Sequence, residues 1–286
     1  MCKLKSKLIN IKGALCDLSE PKVMGVLNVT PDSFYDGSRV ESEKAIIERT
    51  SEILGEGADF IDVGGYSSRP GADEVSEEVE SSRVLSAMKI ISREFPTAVV
   101  SVDTFRSKVA ERAVSEYGAA IINDITGGEG DSEMFGVVAK YNVPYILMHM
   151  QGVPKTMQNN PVYGDIIADI LQWFAPRIHR LVEYGVNDII IDPGFGFGKT
   201  VNNNFELLRR LRELETAALP VLAGLSRKSM IWKTLGTAPA EALNGSTVLN
   251  TAALLAGADI LRVHDVKAAR EAVKLTAAIL NTKKSD

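Results

Sequence analysis

The chain has 286 residues, 45% of them hydrophobic and 24% charged, enough for one large α/β domain or two small ones. Its 32 basic and 37 acidic residues leave a net charge of −5, which gives no reason to expect a nucleic-acid partner. Cys2 and Cys16 form no metal or redox motif. No stretch approaches the roughly 18 apolar residues of a membrane span, and the opening MCKLKSKLINIKGALCDL lacks a signal peptide's apolar run. No membrane association and a cytoplasmic location are therefore expected.

Residues 7–19 alternate loosely around Gly13, which predicts a short hairpin. Residues 1–20 are read as an N-terminal hairpin extension and 21–286 as a single domain, because no linker rich in Pro, Gly or Ser divides them. Strands are predicted at Val23–Val29, Phe60–Gly64, Ala98–Asp103, Ala120–Ile125, Pro144–Met150, Ile189–Asp192, Pro220–Gly224 and Ile260–His264. Helical patterns fill most gaps, among them Glu43–Leu54, Glu77–Arg93, Ser107–Tyr117, Ile166–Tyr184 and Phe205–Leu214, with Pro239–Ala258 read as one crossover helix. Alternating strands and helices imply a parallel sheet with right-handed crossovers. Eight such repeats in this length predict a (β/α)8 TIM barrel; a doubly wound open sheet is the rival.

Barrels carry their chemistry at the carboxyl ends of the strands. Here those ends present Asn28, Asp103, Asn123 with Asp124, His149, Asp192, Ser226-Arg227-Lys228, and Arg262 with His264. One such residue is ordinarily a loop cap, but capping does not explain a polar residue at nearly every strand end. Ionised aspartate only accepts hydrogen bonds, so Asp103, Asn123 and Asp192 suit a flat heterocycle with adjacent N–H donors. Ser226–Ser229 leads into a helix start, and Arg262 and His264 share a strand face. Together they suggest a phosphorylated or diphosphate ligand. The loops VTPDSFYDGS (29–38) and GGYSSRPGA (64–72) would overhang the barrel mouth as lids.

The stretch IIIDPGFGFGKT (189–200) nearly fits two nucleotide motifs and fails both. In GxxxxGK[ST] the first glycine falls on Pro193, and in GxGxxG the third falls on Lys199. What remains is a carboxylate at the end of a buried strand, beside a glycine loop carrying Phe195 and Phe197. The three histidines, His149, His179 and His264, show no zinc-binding spacing, but Mg²⁺ carried in with a diphosphate is compatible with one oxygen ligand such as Asn28.

Eight segments in order resemble the dihydropteroate synthase family: MGVLNVTPDSFYDG (24–37), GGYSSRPGA (64–72), SVDTFRSKVA (101–110), IINDITGG (121–128), MHMQGVPKTMQ (148–158), DPGFGFGKT (192–200), GLSRKSMI (224–231) and LRVHDV (261–266). The resemblance implies a barrel enzyme of folate biosynthesis that joins 6-hydroxymethyl-7,8-dihydropterin diphosphate to 4-aminobenzoate, as a homodimer with Mg²⁺. It implies catalytic roles for Asp103, Asp36, Lys228 and Arg262. Asp103, Asn123, Asp192, Lys228, Phe197 and Arg262 would hold the pterin, and Asn28, Ser68, Arg69, Arg262 and His264 the diphosphate, with Asn28 also on the metal. Phe34, Pro70, Phe197, Lys228 and Ser229 would hold aminobenzoate, where sulfonamides would compete, and Asp32 would join Asp36 in the closed first loop. Tyr66 stands where the family often has glutamate, Ser68 where it often has threonine, Tyr35 where a small residue is common, and Trp232 where glycine is frequent. A pterin-dependent methyltransferase and a non-catalytic pterin-binding protein are the alternative readings.

Overall fold

A computed structural model describes residues 7–30, 39–66, 75–152, 157 and 161–281. Asp32, Phe34, Tyr35, Asp36, Ser68, Arg69 and Pro70 lie outside the described residues.

The hairpin forms as expected. Strands β1 (Leu8–Ile11) and β2 (Ala14–Asp17) pair antiparallel. Lys12 and Gly13 both take positive φ, 52° and 86°, the signature of a tight two-residue turn matched to strand twist. Eight further strands follow: β3 (Lys22–Asn28), β4 (Phe60–Gly64), β5 (Val100–Asp103), β6 (Ile121–Asp124), β7 (Tyr145–Met148), β8 (Ile189–Asp192), β9 (Leu222–Ala223) and β10 (Ile260–Val263). They pair in parallel in the order β8-β7-β6-β5-β4-β3-β10-β9. One parallel bridge, Ile191 to Val221, joins the two ends. The result is a TIM barrel, not an open sheet.

The helices are α1 (Arg39–Gly55), α2 (Glu77–Glu94), α3 (Ser107–Tyr117), α4 (Met134–Tyr141), α5 (Ile166–Glu183), α6 (Val201–Arg209), α7 (Ser229–Leu235), α8 (Leu243–Leu255) and α9 (Val266–Leu280). Two boundaries differ from the periodicity reading. The helix expected at 205–214 starts at Val201, because Thr200 and Asn203 cap it reciprocally, and it gives way to a 3₁₀ segment at Leu211–Ala217. The crossover expected as one helix over 239–258 is a 3₁₀ turn, Pro239–Glu241, followed by α8. Among the described residues no helix is long and apolar enough to cross a membrane.

The barrel interior changes character along its axis. At the amino-terminal end Met24, Phe60, Ile121, Ile146, Ile190, Leu222 and Ile260 pack together, and the hairpin's Ile9, Ile11 and Leu18 plug them from below. The backbone N–H of Asn10 donates to Asp188 Oδ1 at 2.9 Å and fastens the plug to the start of β8. Successive side chains on one strand face are two residues apart. Going up two from Phe60, Ile121, Ile190 and Ile260 therefore brings Asp62, Asn123, Asp192 and Arg262 to the interior. An apolar plug at the bottom and a polar rosette at the top follow from the same alternation.

A second buried polar group braces the rim from outside. Glu80 on α2 is fully buried, accepts from Thr104 Oγ1 at 2.5 Å and from Arg106 Nη1, and its carboxyl is pushed up by burial. Arg106 also donates to the Val75 carbonyl. Deleting one partner of such a pair leaves the other without its counter-charge. Glu80→Ala is expected to cost about 3 kcal/mol, read from the urea unfolding midpoint; a loss below about 1 kcal/mol would assign this pair the worth of a surface ion pair.

Candidate active site

At the carboxyl end of the barrel, Arg262 is the hub. Its Nε donates to Asp62 Oδ2 and its Nη2 to Asp103 Oδ2, each at 2.6 Å. Asn123 Nδ2 donates to the same Asp62 oxygen at 3.0 Å. Four strands thus meet in one hydrogen-bonded network: β10 carries the guanidinium, β4 and β5 its two acids, and β6 the amide bonded to Asp62. Burial works against the charge of Arg262, but Asp62 and Asp103 more than offset it and raise its pKa. Burial pushes Asp103 up, against the pull of Arg262 and with the help of Asp62, to about 7.

Asp192 ends β8, and its Oδ1 accepts the Gly194 N–H at 2.7 Å, which stops the side chain at the turn. Burial raises its pKa against the nearby positive charges of Lys228 and Arg262. Lys228 comes from the loop after β9, donates to the Phe195 carbonyl, and holds its Nζ 4.7 Å from the centroid of the Phe197 ring. Burial lowers Lys228 to about 8, opposed by Asp192. A Cβ added at Gly224 would lie 3.8 Å from Lys228 Nζ and 3.9 Å from Arg262 Cβ, so these two cations flank a position that is open because it is glycine. At Gly64 the same construction meets Asp103 Cβ at 3.5 Å and Asn28 Oδ1 at 3.6 Å, which places Asn28 beside Asp103 on the rim. His264 donates its backbone N–H to Ser226 Oγ at 3.2 Å and sets its Nδ1 3.1 Å from the same oxygen. Ser229 opens α7 next to Lys228.

Among the described residues, three buried polar atoms of this rosette have no hydrogen-bond partner: Asp62 Oδ1, Asn123 Oδ1 and Ser101 Oγ. Buried acceptors without donors are costly.

A family model described as "Pterin binding enzyme" matches residues 24–264. The dihydropteroate synthase of Escherichia coli (strain K12) is 43% identical over 276 residues, covering 96% of this chain and 97% of that one. The Bacillus subtilis (strain 168) dihydropteroate synthase is 39% identical over 282 residues, covering 97% and 95%. Among solved structures, the Yersinia pestis dihydropteroate synthase with a sulfonamide drug complex superposes with a TM-score of 0.90 at 41% identity, covering 96% and 100%. The Xanthomonas albilineans dihydropteroate synthase with 4-aminobenzoic acid gives 0.88 at 36% identity, covering 97% and 100%. This chain belongs to the dihydropteroate synthase family.

As a dihydropteroate synthase it is an enzyme, which decides against the methyltransferase and pure-binding readings. The structure brings Asn28, Asp103, Asn123, Asp192, Phe197, Lys228 and Arg262 to one end of the barrel. Three residues that look like rim groups in the sequence are spent elsewhere. Arg227 forms a two-point pair with Asp265, at 3.0 and 2.6 Å, and is not a free anion contact. Asp124 accepts from Thr126, Gly128 and Tyr145 and braces a turn. His149 is buried beside Trp173, Phe174 and Tyr163, and burial with the neighbouring Lys199 holds it neutral, its pKa down to about 2. Sequence reasoning missed Asp62, although an acid in the middle of the otherwise apolar strand FIDVG is the signal that points to it. It also missed Lys199, hidden by its likeness to a nucleotide-loop lysine.

Proposed function

We propose that this synthase uses the rosette to bind 6-hydroxymethyl-7,8-dihydropterin diphosphate and transfers its methylene carbon to the amine of 4-aminobenzoate, releasing diphosphate. The observation that carries the assignment of residues is the Arg262 hub, which donates to two acids, one of which, Asp62, also accepts from the Asn123 amide. Asp103, Asn123 and Asp192 would accept the ring's N–H groups, and the guanidinium of Arg262 would lie on its face. Lys228 and Phe197, already in cation–π contact, would border both the pterin and the aminobenzoate.

The reaction then needs orientation and charge, not a nucleophilic side chain. The C–O bond to diphosphate breaks, and the positive charge left on the methylene spreads into the electron-rich dihydropterin. Asp103 and Asp192 favour that cation, while Arg262 and His264 favour the departing anion. The aromatic amine forms the new C–N bond with its lone pair, and its surplus proton passes to solvent. Among the described residues no three His, Cys, Asp or Glu side chains converge on a metal position. Mg²⁺ arriving on the diphosphate would take the side-chain oxygen of Asn28, which lies beside Asp103 on the rim, as its protein ligand. Bound there, Mg²⁺ would neutralise diphosphate charge.

Exposed Val248 and Leu255 on α8, with Leu275, Ile279 and Leu280 on the adjacent α9, support a homodimer built on this face. Released diphosphate is the direct test. It should appear only when both substrates are present, and release that ignores aminobenzoate would overturn the assignment.

Burial of Asp103 and Lys228 predicts a narrow bell for kcat/KM. The profile of this quantity reports the free enzyme. Asp103 must be ionised to favour the developing cation, so activity falls as pH drops below about 7. Lys228 must be charged, so activity falls again as pH rises above about 8. Asp103→Asn should erase the acidic limb, and a profile unchanged in that variant would assign the limb to another group.

A further inference from the structure

The loop from Asp192 to Thr200 has little regular structure of its own. Gly194, Gly196 and Gly198 hold φ of 68°, 81° and 59°, a backbone that glycine enters freely and leaves just as freely. Something must therefore select one conformation. Lys199 is 2% exposed and fills that role. Its Nζ lies 3.0 Å from the Gly194 carbonyl, 3.1 Å from the Phe197 carbonyl and 3.0 Å from His149 Nδ1. Burial disfavours the charge of Lys199, but charged or neutral the amine has the two N–H donors that the two carbonyls require. Tyr163 Oη donates to the next carbonyl, Gly198, at 2.8 Å, and its ring centroid sits 5.8 Å from the same Nζ. The Phe195 carbonyl alone turns to the other lysine, Lys228.

We propose that Lys199, assisted by Tyr163, is a positioning residue for the transfer reaction: its tethered amine is the point on which the loop's carbonyls converge, and so fixes Phe197 and Asp192 relative to Lys228. The proposal rests on the reading of Phe197, Asp192 and Lys228 as substrate-facing. Both pinned carbonyls flank the segment that carries Phe197, so loosening them moves the ring that borders aminobenzoate. Asp192 keeps its own hold through the Gly194 N–H and is disturbed less. The expected signature is thus in binding of the amine more than in the bond-breaking step.

Lys199→Met keeps the length of the chain without its donors. It should raise KM for 4-aminobenzoate at least tenfold while kcat changes less than threefold. In Lys199→Ala, n-propylammonium replaces the missing atoms beyond Cβ and should bring KM back toward the parent value. Tyr163→Phe, which loses one hydroxyl, should raise the same KM about threefold, and it carries the test if neither lysine variant folds. A purely structural lysine would instead lower the melting temperature with KM unmoved, and that result, or a Tyr163→Phe enzyme with unchanged KM, overturns the proposal. If Asp103→Asn is inactive while Lys199→Met shows parental KM, only this inference falls. If Asp103→Asn is fully active, the reading of the site itself falls.

Discussion

Asp103→Asn is expected to lower kcat/KM by 100-fold or more, on the order of 3 kcal/mol of lost transition-state stabilisation. The substitution keeps the shape of the side chain and one acceptor oxygen, and Arg262 keeps its bond to Asp62 at 2.6 Å. Folding should therefore survive. What disappears is a negative charge aimed at the place where positive charge develops. The new amide can also turn an NH2 toward Arg262, where the carboxylate now accepts at 2.6 Å. Diphosphate release measured at saturating aminobenzoate separates the two effects. A variant within threefold of the parent would overturn the placement of Asp103 at the reacting pterin.

Gly194→Ala has the largest expected effect on the architecture. A Cβ there would stand 1.9 Å from the His149 carbonyl oxygen, far inside contact distance. That carbonyl belongs to backbone that is itself fastened, since the His149 N–H donates to the Asp192 carbonyl at 2.8 Å. The residue's φ of 68° adds roughly 1–2 kcal/mol for any side chain. A total loss of about 4 kcal/mol or more places the change among the severe substitutions. Gly236 makes the control: its φ is 66°, but a Cβ there meets nothing within 4 Å. Gly236→Ala should cost only about 1 kcal/mol. If unfolding midpoints of the two variants agree, the clash at Gly194 is relieved by movement of the loop, and the activity of the Gly194 variant then reports how much of that geometry catalysis needs.

The legible part of this molecule was the part written in short range. Alternation along each strand located the barrel, and a polar residue at the strand end located Asp103, Asn123, Asp192 and Arg262. The motifs that resemble the family then assigned them to one ligand. Side chains whose meaning lies in a distant partner were not legible. Arg227 reads like Lys228 from its neighbours, yet Asp265 claims one and Phe195 the other. His149 ends its strand as Asp192 does, but the aromatic wall of α5, with Trp173 and Phe174, turns it into a packed neutral ring. Asp62 sits in mid-strand, where periodicity predicts an apolar residue, and only the arrival of Arg262 from 200 positions away explains it. The helix at Val201 was misplaced because its start is set by a reciprocal cap at Thr200, a signal outside hydrophobic periodicity.

The closure of the cylinder has a mechanical corollary. β9 spans only Leu222–Ala223, and a lone bridge from Ile191 to Val221 stitches it to β8. Every other strand boundary is zipped by at least two residue pairs. The thinnest stitching thus runs between the strand that ends in Asp192 and the strand whose loop delivers Lys228. Opening of the wall is expected to begin there, and it would carry Asp192 and Lys228, which interact electrostatically, to opposite sides of the join.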